Sequence, residues 1–348
     1  MKAVVFVGDG TVRVEDVPRP ALQSDGDAIV QVTRTAICGS DLHLLDGHTE
    51  GMQVGSVIGH EFVGTLFDAG DDVTTHFDGA RVLGSFLIAC GECAPCKARR
   101  FNLCAQRRAL GLGVHTGNLD GAQAEFVRVP NADLNLKGLT GGLSGLSDEE
   151  ALFGGDVLAT GFYGASLAEL GPDETAVVIG AGPVGIFTAG ALARSGQVLM
   201  LDTDPSRVAA ARALGFKAAL VDDDNGAALV AEATGGALAD VAIDAVGHTS
   251  AFKSGLRCVK EGGRIVVLGV YGSERYPLPM GVLWSRGIDI RFSGMANVHA
   301  HWDDALLMVA KGEIEPTKLI THRLPLEDAA EGYEEFAARR ATKVVLTP

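Results

Sequence analysis

No stretch of this sequence reaches the roughly 18 consecutive apolar residues that a membrane-spanning helix needs, so no membrane partner is expected. Basic residues are scarce too: 29 lysines and arginines stand against 44 aspartates and glutamates, for a formal net charge of −15. A duplex-binding surface carries a basic patch. The two candidates, Lys97-Ala98-Arg99-Arg100 and Arg107-Arg108, are short and lie beside cysteines. Nucleic acid is therefore not an expected partner. No export signal is expected either, because Met1 leads directly into the strand-like run Lys2-Ala3-Val4-Val5-Phe6-Val7. A cytoplasmic protein with reduced cysteines is the expectation. What remains is an ordinary globular balance, 47% hydrophobic and 21% charged, over 348 residues, which suggests about two domains.

Cysteine is few in number but concentrated. Four of the six fall in one segment, Cys90, Cys93, Cys96 and Cys104, with the spacing C-x2-C-x2-C-x7-C. Four thiolates on one loop match the tetrahedral preference of zinc, and a closed sulfur shell leaves no position for a substrate. An iron–sulfur cluster also takes four cysteines, but the fourth is not followed by proline and no second cluster appears. The quartet is read as a structural zinc site, so the chemistry must lie elsewhere.

Three blocks follow one another. Residues 1–152 are rich in β-type runs broken by glycine and aspartate; Ala28–Thr33 and Glu125–Val129 alternate in part, as half-buried strands do. Residues 153–290 change period. Apolar strands at Ala176–Ile179, Gln197–Asp202, Ala218–Val221, Asp240–Asp244 and Arg264–Gly269 alternate with helices, which predicts a parallel sheet covered on both faces. One of those helices spans Pro205–Leu214, with Asp204 as N-cap and Gly215 beyond its end. Residues 291–348 return to mixed structure, with a helix near His301–Ala310 and a strand at Lys343–Leu346. The last block is expected to pack on the first, giving an α/β chain whose first domain, 1–152 plus 291–348, is interrupted by the 153–290 domain.

The strand at 176–179 runs into Gly180-Ala181-Gly182-Pro183-Val184-Gly185, a G-x-G-x-x-G sequence that opens a helix. Gly180 permits a tight turn, Gly182 lets backbone approach a pyrophosphate, and Gly185 lets helix and strand pack closely. The helix N-terminus then offers N–H groups to phosphate. Asp202 ends the next strand, 20 residues after Gly182, where a carboxylate accepts both ribose hydroxyls of NAD and repels the extra phosphate of NADP. Arg207 is near enough to lie along the adenosine ribose. NAD is the expected dinucleotide.

Outside the quartet, Cys38 stands in Ile37-Cys38-Gly39-Ser40-Asp41-Leu42-His43, followed by Gly59-His60-Glu61 and later by Gly154-Gly155-Asp156. A cysteine, a histidine and a carboxylate with one open position make a catalytic zinc arrangement. Spacing alone does not bring the three together, and Cys38 also fits as a small buried apolar residue.

Taken in order, these motifs resemble the zinc-dependent alcohol dehydrogenases of the medium-chain dehydrogenase/reductase superfamily over almost the whole chain. The resemblance implies a β-rich GroES-like catalytic domain with an inserted Rossmann doubly wound domain, and two zinc ions per chain. It implies that Cys38, His60 and Asp156 hold the catalytic zinc, with Glu61 approaching it during exchange. Many relatives place a cysteine where this chain has Asp156. The resemblance further implies that Ser40 takes the substrate hydroxyl proton, that His43 passes it to solvent, and that Asp41 fixes the tautomer of a ligating histidine. Phe86 would line the substrate pocket, Val270 would sit near the nicotinamide, and Lys343 would meet the cofactor phosphates. Relatives of this kind are homodimers or homotetramers acting on small-molecule alcohols, aldehydes or ketones.

One departure is Gly39, where some relatives have an arginine that touches the pyrophosphate; a phosphate contact is missing here. The same motifs serve polyol, L-threonine and formaldehyde dehydrogenases or dismutases, so they leave the substrate open. A non-catalytic nucleotide-binding protein would be expected to lose the Cys38, His60 and Asp156 set, and all three are present. Gly138–Gly145 reads as a flexible surface loop.

Overall fold

The computed structural model describes residues 1–46, 51–222, 225–272 and 276–348. The chain forms two compact units, Met1–Ala159 with Met295–Pro348, and Thr160–Gly294.

The first unit is built on a seven-stranded sheet. Its long central strand Ala28–Ile37 pairs antiparallel with Glu61–Ala69, Phe126–Val129 and Val344–Thr347. Arg81–Gly84 and Leu136–Gly138 extend one side, and His322–Pro325 runs parallel to Val344–Thr347 on the other. The C-terminal block thus supplies two strands to a sheet begun by the first 150 or so residues; of these the sequence pattern marked only the one at Lys343–Leu346. Inward-facing Val30, Val32, Phe62, Leu66 and Val82 fill the core beneath this sheet. Close backbone approach explains one glycine here: a Cβ on Gly84 would stand 1.9 Å from the Phe62 ring.

The second unit carries six parallel strands. In space they run Ala218–Leu220, Gln197–Asp202, Thr175–Ile179, Ala239–Asp244, Val259–Val267, Asp289–Phe292. Numbered along the chain this is 3-2-1-4-5-6, the doubly wound order whose direction reverses between the first and fourth strands. Val177, Leu199, Leu201, Ala242 and Ile265 are buried, as continuous apolar strands covered on both faces must be. The helix Pro205–Ala213 starts as its sequence dictates: Asp204 accepts the N–H groups of Ser206 and Arg207, and Gly215 takes φ +91° past the end.

The units part at 159/160 and 294/295, where the sequence pattern suggested 152/153 and 290/291. The first shift arises because Phe153–Gly155 packs on the first unit: Gly155 O accepts the N–H of Phe86, and a Cβ on Gly155 would lie 2.2 Å from Gly84 O. The second arises because Arg291 and Phe292 pair with Val266 and Val267, carrying the parallel sheet past residue 290. The glycine-rich stretch 138–145 is also more ordered than its composition suggests. It contains the 3-10 turn Gly141–Leu143, and Leu139, Leu143 and Leu146 are buried anchors.

Candidate metal centres and nucleotide cradle

Cys38, His60, Glu61 and Asp156 come together although they lie far apart in the chain; one donor atom from each falls within 4.8 Å of every other. Cys38 caps the helix Gly39–Leu45 directly after the central strand. His60 and Glu61 stand at the start of the neighbouring strand, and Asp156 follows the turn Phe153–Gly155, whose Gly155 O accepts the Phe86 N–H. Cys38 Sγ lies 3.4 Å from Asp156 Oδ2, and His60 Nε2 lies 3.3 Å from the same oxygen. Ser40 Oγ is 3.3 Å from His60 Nε2. Phe86, nearly buried, meets the His60 ring edge-on with centroids 6.0 Å apart.

These separations suit a metal. A tetrahedral zinc with bonds of about 2.0–2.3 Å spaces its ligand atoms about 3.3–3.8 Å apart. The charge points the same way. The thiol, three carboxylic groups (Asp41, Glu61, Asp156) and the imidazole are gathered in the interior with one ammonium, Lys343. Buried carboxylates without cations are costly, and a divalent cation would offset that cost. Burial pushes Glu61 up to about 7 although the Lys343 charge pulls the other way. Burial also raises Asp156, but the hydrogen bond and charge of His60 outweigh it and hold Asp156 at about 2.

Asp41 meets two members of this cluster. Its Oδ2 accepts the backbone N–H of Cys38 at 2.9 Å, and its Oδ1 lies 3.1 Å from His60 Nδ1. A histidine so held turns Nε2 towards Cys38 and Asp156. His43 is three residues beyond Ser40 on the same short helix, hence on its face, and is partly buried. Lys343 sits differently from its expected place at the cofactor phosphates. It is 1% exposed, and its Nζ donates to Glu61 Oε1 at 2.6 Å, so its charge is committed to that carboxylate.

The four quartet sulfurs also fall within 4.8 Å of one another, and all six cysteines are free of disulfides. Cys93 Sγ and Cys96 Sγ are 3.4 Å apart; Cys104 Sγ accepts the N–H groups of Cys90 at 3.4 Å and Gln106 at 3.3 Å. Burial raises the Cys104 thiol, and these N–H bonds offset part of that in favour of the thiolate, which is the ligand form. Residues that sequence reasoning missed hold this lobe. Asn297 accepts the Phe101 N–H and donates to Arg99 O. Asn135 grips Ala89 through both its N–H and C=O, and His299 Nε2 lies 2.8 Å from Asn135 Oδ1. Their local sequences, Asn131-Ala132-Asp133-Leu134-Asn135 and Asn297-Val298-His299-Ala300-His301, carry no signal that sets them apart from other polar positions.

In the second unit, Gly180 takes φ +102°, and a Cβ on Gly185 would lie 1.9 Å from Gly180 O. Both glycines are required by the protein itself. Gly182 is not: its missing Cβ faces open space, as a backbone reserved for a ligand would. Gly182 caps the helix Pro183–Leu192, and Pro183 and Val184 form its partly exposed first turn. Asp202 Oδ2 accepts the Ala181 N–H at 2.7 Å and Oδ1 accepts the Asp204 N–H at 2.8 Å. Lone pairs on both oxygens remain for hydroxyl donors. Arg207 is partly buried in the first turn of the next helix, and Val270, half exposed, follows the strand Val259–Val267. The sequence did not single out Asp244. It is buried, accepts the N–H groups of Val246 and Gly247 and the Tyr271 hydroxyl, and so shapes the loop after the fourth strand.

A doubly wound nucleotide-binding unit joined to a β-rich unit with a four-cysteine lobe and a Cys-His-Asp cluster defines a zinc-type dehydrogenase. Comparison with known proteins agrees. Residues 24–137 match the alcohol dehydrogenase GroES-like domain and 165–311 the zinc-binding dehydrogenase family. A zinc-type alcohol dehydrogenase-like protein of Bacillus subtilis (strain 168) is 35% identical over the full length of both chains. A glutathione-independent formaldehyde dehydrogenase of Pseudomonas aeruginosa is 31% identical, over 100% of this chain and 97% of that one. The solved alcohol dehydrogenase TADH from Thermus sp. ATN1 superposes with a TM-score of 0.93 at 38% identity, covering 100% of this chain and 99% of that one. The chain belongs to the zinc-dependent alcohol dehydrogenases of the medium-chain dehydrogenase/reductase superfamily and is an oxidoreductase. Among the described residues, no helix is long and apolar enough to cross a membrane.

Proposed function

We propose that this enzyme interconverts a small alcohol and its aldehyde or ketone, using NAD and a zinc held by Cys38, His60 and Asp156. The observation that carries this reading is the convergence of those three donors, with the Ser40 hydroxyl beside them. When bound, zinc supplies Lewis acidity to an alcohol oxygen and NAD accepts the hydride.

The remaining work falls to side chains. Cys38, His60 and Asp156 leave one side of their cluster for substrate, and Asp41 holds the His60 tautomer. Ser40 Oγ receives the substrate hydroxyl proton and His43 passes it on to solvent. Phe86 presents an apolar edge that orients the carbon portion of the substrate. Glu61, held by Lys343, stays beside the ligands as a reserve donor. Gly180, Gly182, Pro183, Val184 and Gly185 take the pyrophosphate at a helix N-terminus, Asp202 takes the adenosine ribose with Arg207 alongside, and Val270 packs near the nicotinamide. The quartet Cys90, Cys93, Cys96 and Cys104 holds a second, structural zinc.

Aldehyde oxidation is the second reading, favoured by the similarity to the Pseudomonas formaldehyde dehydrogenase. A panel of alcohols of graded size, polyols, threonine and formaldehyde, with NAD and NADP in parallel, tests both readings. A small alcohol should give the highest kcat/KM, with NAD at least tenfold better than NADP, and Asp202→Ala should narrow that ratio. A wild type that prefers NADP overturns the Asp202 assignment, and turnover of formaldehyde alone selects the second reading.

A further inference from the structure

Asp41 serves two of the converging donors at once, so whatever fixes Asp41 fixes the geometry of both. The buried groups around it come from distant parts of the first unit. Gln123, wholly buried, donates Nε2–H to Ala36 O at 3.0 Å and to Asp41 Oδ2 at 3.4 Å. Its Oε1 accepts the Tyr333 hydroxyl at 2.9 Å, from the C-terminal helix Ala329–Ala337. Its backbone is also pinned: the N–H donates to Ile58 O at 3.0 Å and the carbonyl accepts the Val4 N–H at 2.8 Å.

The chemistry of a primary amide makes this arrangement directional. A flipped Gln123 would turn its oxygen on the Asp41 carboxylate and the Ala36 carbonyl, pairing acceptor with acceptor. The Tyr333 hydroxyl, a donor held protonated by burial and by the nearby Asp41 charge, locks the productive orientation. The residue before His60 carries the mark of this packing. Gly59 takes φ +89°, and a Cβ there would stand 2.3 Å from Gln123 Cγ. Glycine precedes His60 because the Gln123 side chain occupies the space a side chain would need.

We propose that Gln123 and Tyr333 are positioning residues for the zinc-ligating cluster, acting through Asp41 on His60 and Cys38, so that the C-terminal helix governs how firmly that metal is retained. The inference rests on the assignment of Cys38, His60 and Asp156 as zinc ligands.

Zinc release from the holoenzyme to a chromophoric chelator tests it without recourse to activity. Tyr333→Phe deletes a single hydroxyl, and Gln123→Leu keeps the bulk while removing the amide. Outer partners of metal ligands are typically worth about 10–100-fold in metal affinity. One of the two zincs should therefore leave about 10–100-fold faster from each variant, while the other leaves at the wild-type rate and the far-ultraviolet circular dichroism is unchanged. In an Asp41→Asn background, Tyr333→Phe should add nothing, because the route through the carboxylate is already broken. Release of both zincs at wild-type rates, equal acceleration of both, or an undiminished Tyr333→Phe effect in the Asp41→Asn background overturns the proposal. A wild type that binds zinc only at the cysteine quartet instead overturns the ligand assignment beneath it.

Discussion

Ser40 shows how far a single residue can be read. Its place two positions after Cys38 was visible in the sequence; its nearness to Nε2 of His60 required the fold. If its hydroxyl receives the substrate proton, Ser40→Ala should lower kcat by about 10²–10⁴-fold, the usual worth of positioned proton transfer. Binding of NADH, followed by its fluorescence, should be unaffected. Unchanged turnover would remove Ser40 from the reaction. Lys343 marks where sequence reading stopped short. The family resemblance implied that this lysine meets the cofactor phosphates, yet its ammonium is buried against Glu61, a partner 282 positions away. Tyr333 and Gln123 were invisible for the same reason, being 210 positions apart. Nothing local in either segment announces a buried hydrogen bond to the other.

At the scale of elements, local signals were legible where they were complete within one turn. The Asp204 cap, the glycine turn at 180–185 and the five apolar strands of the second unit all appear close to where their patterns placed them. The 138–145 stretch misled because glycine content was weighed without Leu139 and Leu143, or Leu146 just beyond it. The helix Val298–Ala310 was placed from its pattern, but its task was not. Through Asn297 at its cap and His299 in its first turn it holds the cysteine lobe. His299 packs between the rings of Phe101 and Trp302, and burial alone lowers it to about 3. An unfolded histidine titrates near 6.5. Between those values the unfolded chain binds a proton that the folded chain refuses. The contribution of His299 is therefore intact above about pH 6.5 and is lost as the pH falls towards 3, with a slope of at most about 1.4 kcal/mol per pH unit. His299→Gln, which keeps a donor for Asn135 without a titrating group, should flatten this part of the acid-side fall in stability relative to wild type. Chemical denaturation at pH 7, 6, 5 and 4 measures it, and parallel curves for the two proteins would contradict the account.

For the whole molecule, the division of labour follows from chain order. The outer blocks build one sheet from both ends of the sequence, and the middle block builds a parallel sheet of its own. Both metal clusters fall in the first unit, and the open glycine cradle falls in the second. The shifted boundary at 159/160 matters to function because it puts Asp156 in the same unit as Cys38 and His60. Three donor side chains on one unit can be held at fixed separations by one core, as the packing of Gly155 on Gly84 illustrates. The central claim is that this unit holds two zincs with different tasks. Zinc per chain, measured by elemental analysis on wild type and Asp156→Ala, tests it most directly. About two zincs are expected in wild type and about one in Asp156→Ala, with alcohol oxidation lost and NAD binding retained. One zinc per chain in wild type, or two retained in the active Asp156→Ala variant, would contradict it.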